Sequence, residues 1–237
     1  MIKEGGWLKG GADSAPMEVI TAKTLRLIVL LGIAGGYLDA FTFVAHGGVF
    51  ANAQTGNVVL LGVDAARGDV AGALAHVPPL IAFVLGVAAA ETLTHPRVAP
   101  VVRRPVRVAL VIEIAVLLVV GAIPTWFASS AVVLAVAFVA ALQNATFGTV
   151  REWSVNTTMT TGNLRTAARA TYRAVFRRDQ DAAGQARTFG LVVLCFLVGA
   201  AVGALVTERV GNMAAWGANL LIVTGLALFF LDERTPG

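Results

Sequence analysis

Asp39 stands alone among apolar neighbours in Leu38-Asp39-Ala40-Phe41-Thr42-Phe43, where a carboxylate can carry a proton or hold a cation. Shortly after it comes Gln54-Thr55-Gly56-Asn57. The arrangement then recurs. Leu142-Gln143-Asn144-Ala145-Thr146-Phe147 precedes Thr160-Thr161-Gly162-Asn163, which sets Gln143, with Asn144 beside it, where the first copy has Asp39. Phe83-Val84-Leu85-Gly86 and Phe196-Leu197-Val198-Gly199 follow the two copies in the same order. In each Thr-Gly-Asn, glycine lets the backbone leave helical geometry and threonine or asparagine can cap the helix that follows. The free N–H groups of such a helix start attract an anion or a polar solute group. The candidate substrate or ion site is therefore Asp39, Thr55, Gly56, Asn57, Gln143, Asn144, Thr161, Gly162 and Asn163.

The rest of the chain offers little catalytic chemistry. It has no His/Glu or His/Cys cluster at metal-ligand spacing, no Gly-x-Ser-x-Gly, no P-loop and no dinucleotide fingerprint. No cofactor, no metal and no enzymatic activity are expected. Glu113, six residues past Arg107, is expected to pair with an arginine or to reach toward the cytoplasm. His46 and His76 have no visible partner, and the lone Cys195 is expected to pack as a small apolar residue.

The elements that must position these residues are membrane helices. The chain is 57% hydrophobic and 14% charged, whereas soluble domains carry about 25% charged residues. The net charge of +4 does not point to nucleic acid, because the positive residues lie between apolar runs. Six segments approach the ~20 residues needed to cross a bilayer: 27–46, 74–93, 106–123, 130–149, 189–206 and 213–231. Pro78-Pro79 should interrupt or begin the second. With the N-terminus in the cytoplasm, 16 of the 18 lysines and arginines fall inside and only Arg67 and Arg209 outside. That asymmetry obeys the positive-inside rule. Residues 1–24 lack an apolar core and are expected to form a flexible cytoplasmic tail.

The expected fold is an all-α bundle of six transmembrane helices, built as an inverted three-plus-three repeat with halves at about 26–123 and 125–237. A short broken, re-entrant or interfacial helix should follow each Thr-Gly-Asn. The first, at 49–66, is apolar enough to enter the outer leaflet, but a full crossing would send Arg97, Arg103, Arg104 and Arg107 outside. The second carries Arg165, Arg169, Arg173 and Arg177 at every fourth residue, and that basic stripe suits anionic lipid headgroups. Glycines at 32, 35 and 36, and at 199 and 203, should serve as close packing faces within the chain.

The stretch Gly36-Tyr37-Leu38-Asp39-Ala40 to Gly48-Val49-Phe50-Ala51-Asn52-Ala53-Gln54-Thr55-Gly56-Asn57 resembles the YoaK-type family of bacterial multi-pass membrane proteins. Leu142-Gln143-Asn144 with Thr157-Thr158-Met159-Thr160-Thr161-Gly162-Asn163-Leu164-Arg165 resembles that family's second signature. The resemblance implies a bacterial inner-membrane protein and carries no activity or site residue with it. Together with the spans and the central carboxylate, the leading expectation is a permease for a small solute or ion. The competing one is a lipid-binding or scaffold protein, with a membrane-embedded enzyme behind both.

Overall fold

Long runs of alanine, valine and leucine give a backbone that satisfies its own hydrogen bonds only as helix when water is absent. The computed structural model describes residues 22–98, 100–125, 129–150 and 160–234. Nine α-helices and one 3-10 turn occur among the described residues, and no strand. They are α1 (Ala22–Ala45), α2 (Gln54–Ala66), α3 (Val70–Ala75), α4 (Val77–Thr94), α5 (Pro105–Ala122), α6 (Ser129–Val150), α7 (Thr160–Phe176), α8 (Gln180–Val210) and α9 (Ala215–Arg234), with the turn at Gly211–Ala214. The tail expected at 1–24 lies outside the described residues up to 21, and 22–24 already belong to α1. Thr157, Thr158 and Met159 also lie outside them.

Local chemistry sets the element ends. Pro105 opens α5, and Pro78 and Pro79 sit in the first turn of α4, where a missing N–H costs nothing. The prolines thus begin α4. Gly68 ends α2 with φ +76°, and Gly211 separates α8 from α9 with φ +56°, a conformation that glycine adopts freely.

Five stretches are long and apolar enough to cross a membrane: Leu25–Ala45, Val70–Thr94, Pro105–Ala122, Ser129–Phe147 and Gln180–Leu228. The last is 49 residues long, roughly 70 Å as one helix, and the break at Gly211 divides it. At 13 residues, roughly 20 Å, α2 is too short to cross a bilayer. Ile81, Val84, Leu85, Val111, Leu118, Val119, Leu194 and Leu197 are exposed over much of the outer surface. Water would not tolerate that much apolar surface, so these faces belong in lipid.

The two most extensive helix pairings, α1 with α8 and α4 with α6, join helices that are not neighbours in the chain. Helix α1 packs on α8 and α9, α6 on α4 and α5, α5 on α9, and α7 on α8. Leu31, Leu38, Phe41, Leu110, Leu117, Val136 and Ile222 meet in the central core. Glycine makes the two tightest crossings possible. A Cβ at Gly36 would strike the carbonyl of Phe196, and one at Gly199 the carbonyl of Ile33, so α1 and α8 touch backbone to backbone. Gly86 brings α4 against the Phe138 carbonyl of α6 in the same way. Both glycines end a repeated Phe-x-x-Gly.

Candidate functional site

Asp39 lies six residues before the end of α1, where Gly47 (φ +83°) and Gly48 (φ +73°) turn the chain back toward the bundle. The returning loop passes over the carboxylate. Asp39 Oδ1 accepts the backbone N–H of Asn52 at 2.6 Å, with the amides of Ala51 and Ala53 beside it. Asn52 in turn donates from Nδ2 to the Gly35 carbonyl at 3.3 Å. Asp39 is 5% exposed and Asn52 6%, so both ends of this tie are out of solvent.

Asn57 completes the clamp from the other side. Its Oδ1 accepts the Phe50 N–H at 2.9 Å, and its Nδ2 donates to the Phe50 carbonyl at 2.8 Å and to Gln54 Oε1 at 2.9 Å. Gln54 Nε2 reaches the Ala51 carbonyl at 2.8 Å. The Phe50 ring stacks on Phe43 and covers Gly56, where a Cβ would come within 2.9 Å of it. Thr55 is exposed.

This corrects the expectation that Thr or Asn caps the helix. Helix α2 begins at Gln54, ahead of Thr-Gly-Asn, its N-cap is Ala53, and no side chain caps it. Asn57 looks backward seven residues because the buried loop's amide and carbonyl need partners more than the helix start does.

The second copy sits elsewhere. Gln143 is buried on α6 with its Nε2 unbonded among the described residues, Asn144 is half-buried, and Thr146 hydroxyl donates to the Leu142 carbonyl at 2.6 Å. Asn163 is buried in the first described turn of α7, while Thr161 and Gly162 are exposed. No hydrogen bond among the described residues joins Asp39 to Gln143 or Asn144.

Sequence reasoning missed one feature and misjudged another. The first is a polar ladder from the 3-10 turn and α9 to α5 and its end. Asn212 Nδ2 donates to the Ile123 carbonyl at 3.0 Å, Trp216 Nε1 to Leu118 at 3.1 Å and Asn219 Nδ2 to Ile114 at 3.3 Å. Spacing of four and three residues, running from the 3-10 turn into α9, was the signal that could have found it. The second is Glu113, which neither pairs with an arginine nor reaches outward. It is 1% exposed and Oε2 has no partner among the described residues. Arg107 lies six residues back, roughly 9 Å along the axis and about 240° around it.

Elsewhere, His76 Nε2 lies 3.5 Å from Asp64 Oδ2, and buried His46 packs edge-on to Phe41 of the core. Cys195 is free and buried. Helix α7 presents Leu164, Tyr172, Val175 and Phe176 to the outside, alongside exposed Arg165, Arg169 and Arg177. Arg173 differs from its neighbours: it is half-buried and its Nη2 donates to Gln185 Oε1 of α8 at 2.5 Å.

Apolar stretches, lipid-facing surfaces and buried polar clamps define a multi-pass helical membrane protein. Residues 27–228 match the family described as "Protein of unknown function (DUF1275)", and the chain belongs to that family. No curated protein and no solved structure matches it.

Proposed function

We propose that the protein is a small-solute or ion permease of the bacterial inner membrane, with six spans, both termini cytoplasmic and two inverted halves. One observation carries this reading. Exchanging α1 with α6, α4 with α8 and α5 with α9 turns the main pairings among these six helices into others that are present: α1–α8 into α6–α4, α1–α9 into α6–α5, and α5–α9 into itself. Inverted repeats of this kind build secondary transporters around discontinuous helices. The loop clamped by Asp39 and Asn57 before α2 is such a discontinuity, closed by its own amides. A solute's polar group would enter by replacing the Asn52 N–H on Asp39. Gln143, Asn144, Thr161, Gly162 and Asn163 would do the corresponding work on the other side.

The test is counterflow into proteoliposomes loaded with a bacterial metabolite extract, read by mass spectrometry. Uptake of at least one solute that depends on the protein and is lost in Asp39→Ala is expected. No protein-dependent uptake from the full extract would sink the permease reading.

A second reading has its own observation. The exposed apolar flank of α7 beside Arg165, Arg169 and Arg177 suits anionic lipid, the partner a lipid-binding or scaffold protein needs. Arg165→Glu with Arg169→Glu should then abolish enrichment of anionic lipid around the purified protein while leaving insertion intact.

A further inference from the structure

Glu113 is the ninth of the eighteen residues of α5, half-way along a helix of the length of one bilayer crossing. An ionised carboxylate there needs a counter-charge or several donors, since an unpaired buried charge is among the costliest features a fold can hold. The surroundings supply neither. Helix α5 packs on α6, α9, α4 and the 3-10 turn. Helix α6 and the turn contain no titratable residue, and α9 has none among its described side chains. Helix α4 brings only Glu91, exposed near its end. Helix α1, which shares the central core, adds Tyr37 and Asp39 there, neither of them a cation, its Lys23 and Arg26 standing at the helix start with Arg26 exposed, and Asp39 is already engaged with Asn52. On α5 itself Arg107 lies on another face and a turn and a half away. One residue along from Glu113, the Ile114 carbonyl takes the amide of Asn219, whose Oδ1 is also buried without a donor. Glu113 Oε2 is thus left without a donor among the described residues, the buried Tyr37 hydroxyl and Gln143 Nε2 being unpaired as well. A proton on the carboxyl reverses that, turning one acceptor into a donor and removing the charge.

We propose that Glu113 is a proton-binding site at the centre of the bundle, held as the neutral acid in the packed state and able to exchange its proton with water. Its ligand is the proton itself. Hydration of the core would let the acid ionise, and burial would restore the proton, so packing and protonation are linked at this residue. The inference does not depend on solute crossing the membrane. A failed uptake assay leaves it standing, and its own failure leaves the permease reading standing.

The experiment is infrared spectroscopy of the full-length protein in phosphatidylcholine vesicles at neutral pH, in H2O and then in D2O. A protonated-carboxyl stretch is expected, moving to lower frequency in D2O, absent from Glu113→Gln and retained in Asp39→Asn. Glutamine has the shape of the neutral acid, so the variant should melt at or above the wild-type temperature. Glu113→Asp, a second variant independent of that folding, should move the band. The proposal is overturned if the wild type shows no such stretch, if the band ignores D2O, if it survives Glu113→Gln, if Asp39→Asn removes it, or if Glu113→Asp leaves it in place.

Discussion

At the scale of single residues, Asn57 and Thr55 adjoin in sequence and differ in work. Asn57 is fully buried and supplies both partners of the Phe50 backbone, whereas Thr55 is exposed. Asn57→Ala leaves an N–H and a carbonyl unsatisfied and should cost about 2–4 kcal/mol. Thr55→Ala should stay within about 0.5 kcal/mol. Thermal unfolding in detergent compares the two, and equal losses would contradict the clamp. Asp39→Ala removes the acceptor of the Asn52 N–H, so amide exchange between residues 49 and 57 should quicken while α5 is unchanged, as read by deuterium uptake. The sequence marks these residues through their repetition, and it could not assign their task. Asn57 meets Phe50 only because two positive-φ glycines fold the chain back, and composition says nothing about that path.

Among the elements, α8 holds a matched pair of glycines with opposite roles. Gly199 lies against the Ile33 carbonyl, and Gly190 has nothing within 4 Å of a would-be Cβ. Gly199→Ala forces α1 and α8 apart and should cost about 1–3 kcal/mol. Gly190→Ala relieves a flexible backbone and should add about 0.5–1 kcal/mol. Melting temperatures that move in opposite directions are the expected outcome. The spans and their glycine faces were legible because a bilayer demands long apolar runs and close crossings demand small residues. Which glycine faces which helix was not, since Gly86 and Gly199 share a motif and find partners far away in the chain. The α7 stripe was half legible. Four arginines at every fourth residue look equivalent, and only the packing of α7 on α8 singles out Arg173 for Gln185.

For the whole molecule, the arrangement of charges predicts a definite orientation. An impermeant maleimide on intact cells should label Asp69→Cys from outside and reach Gln180→Cys only after permeabilisation, both positions being exposed. The reverse result would invert the topology. Cys195, being buried, should stay silent in both. The cross-chain pairing also bears on how the protein is made. Helix α1 leaves the ribosome roughly 140 residues before the α8 that covers its glycine face, on the order of ten seconds at about 5–20 residues per second. For that interval Gly36 and its neighbours have only lipid, or an insertion factor, against them. Neither half can complete its own packing, so a gene split between α5 and α6 should yield two fragments that are degraded when expressed singly and stable when expressed together.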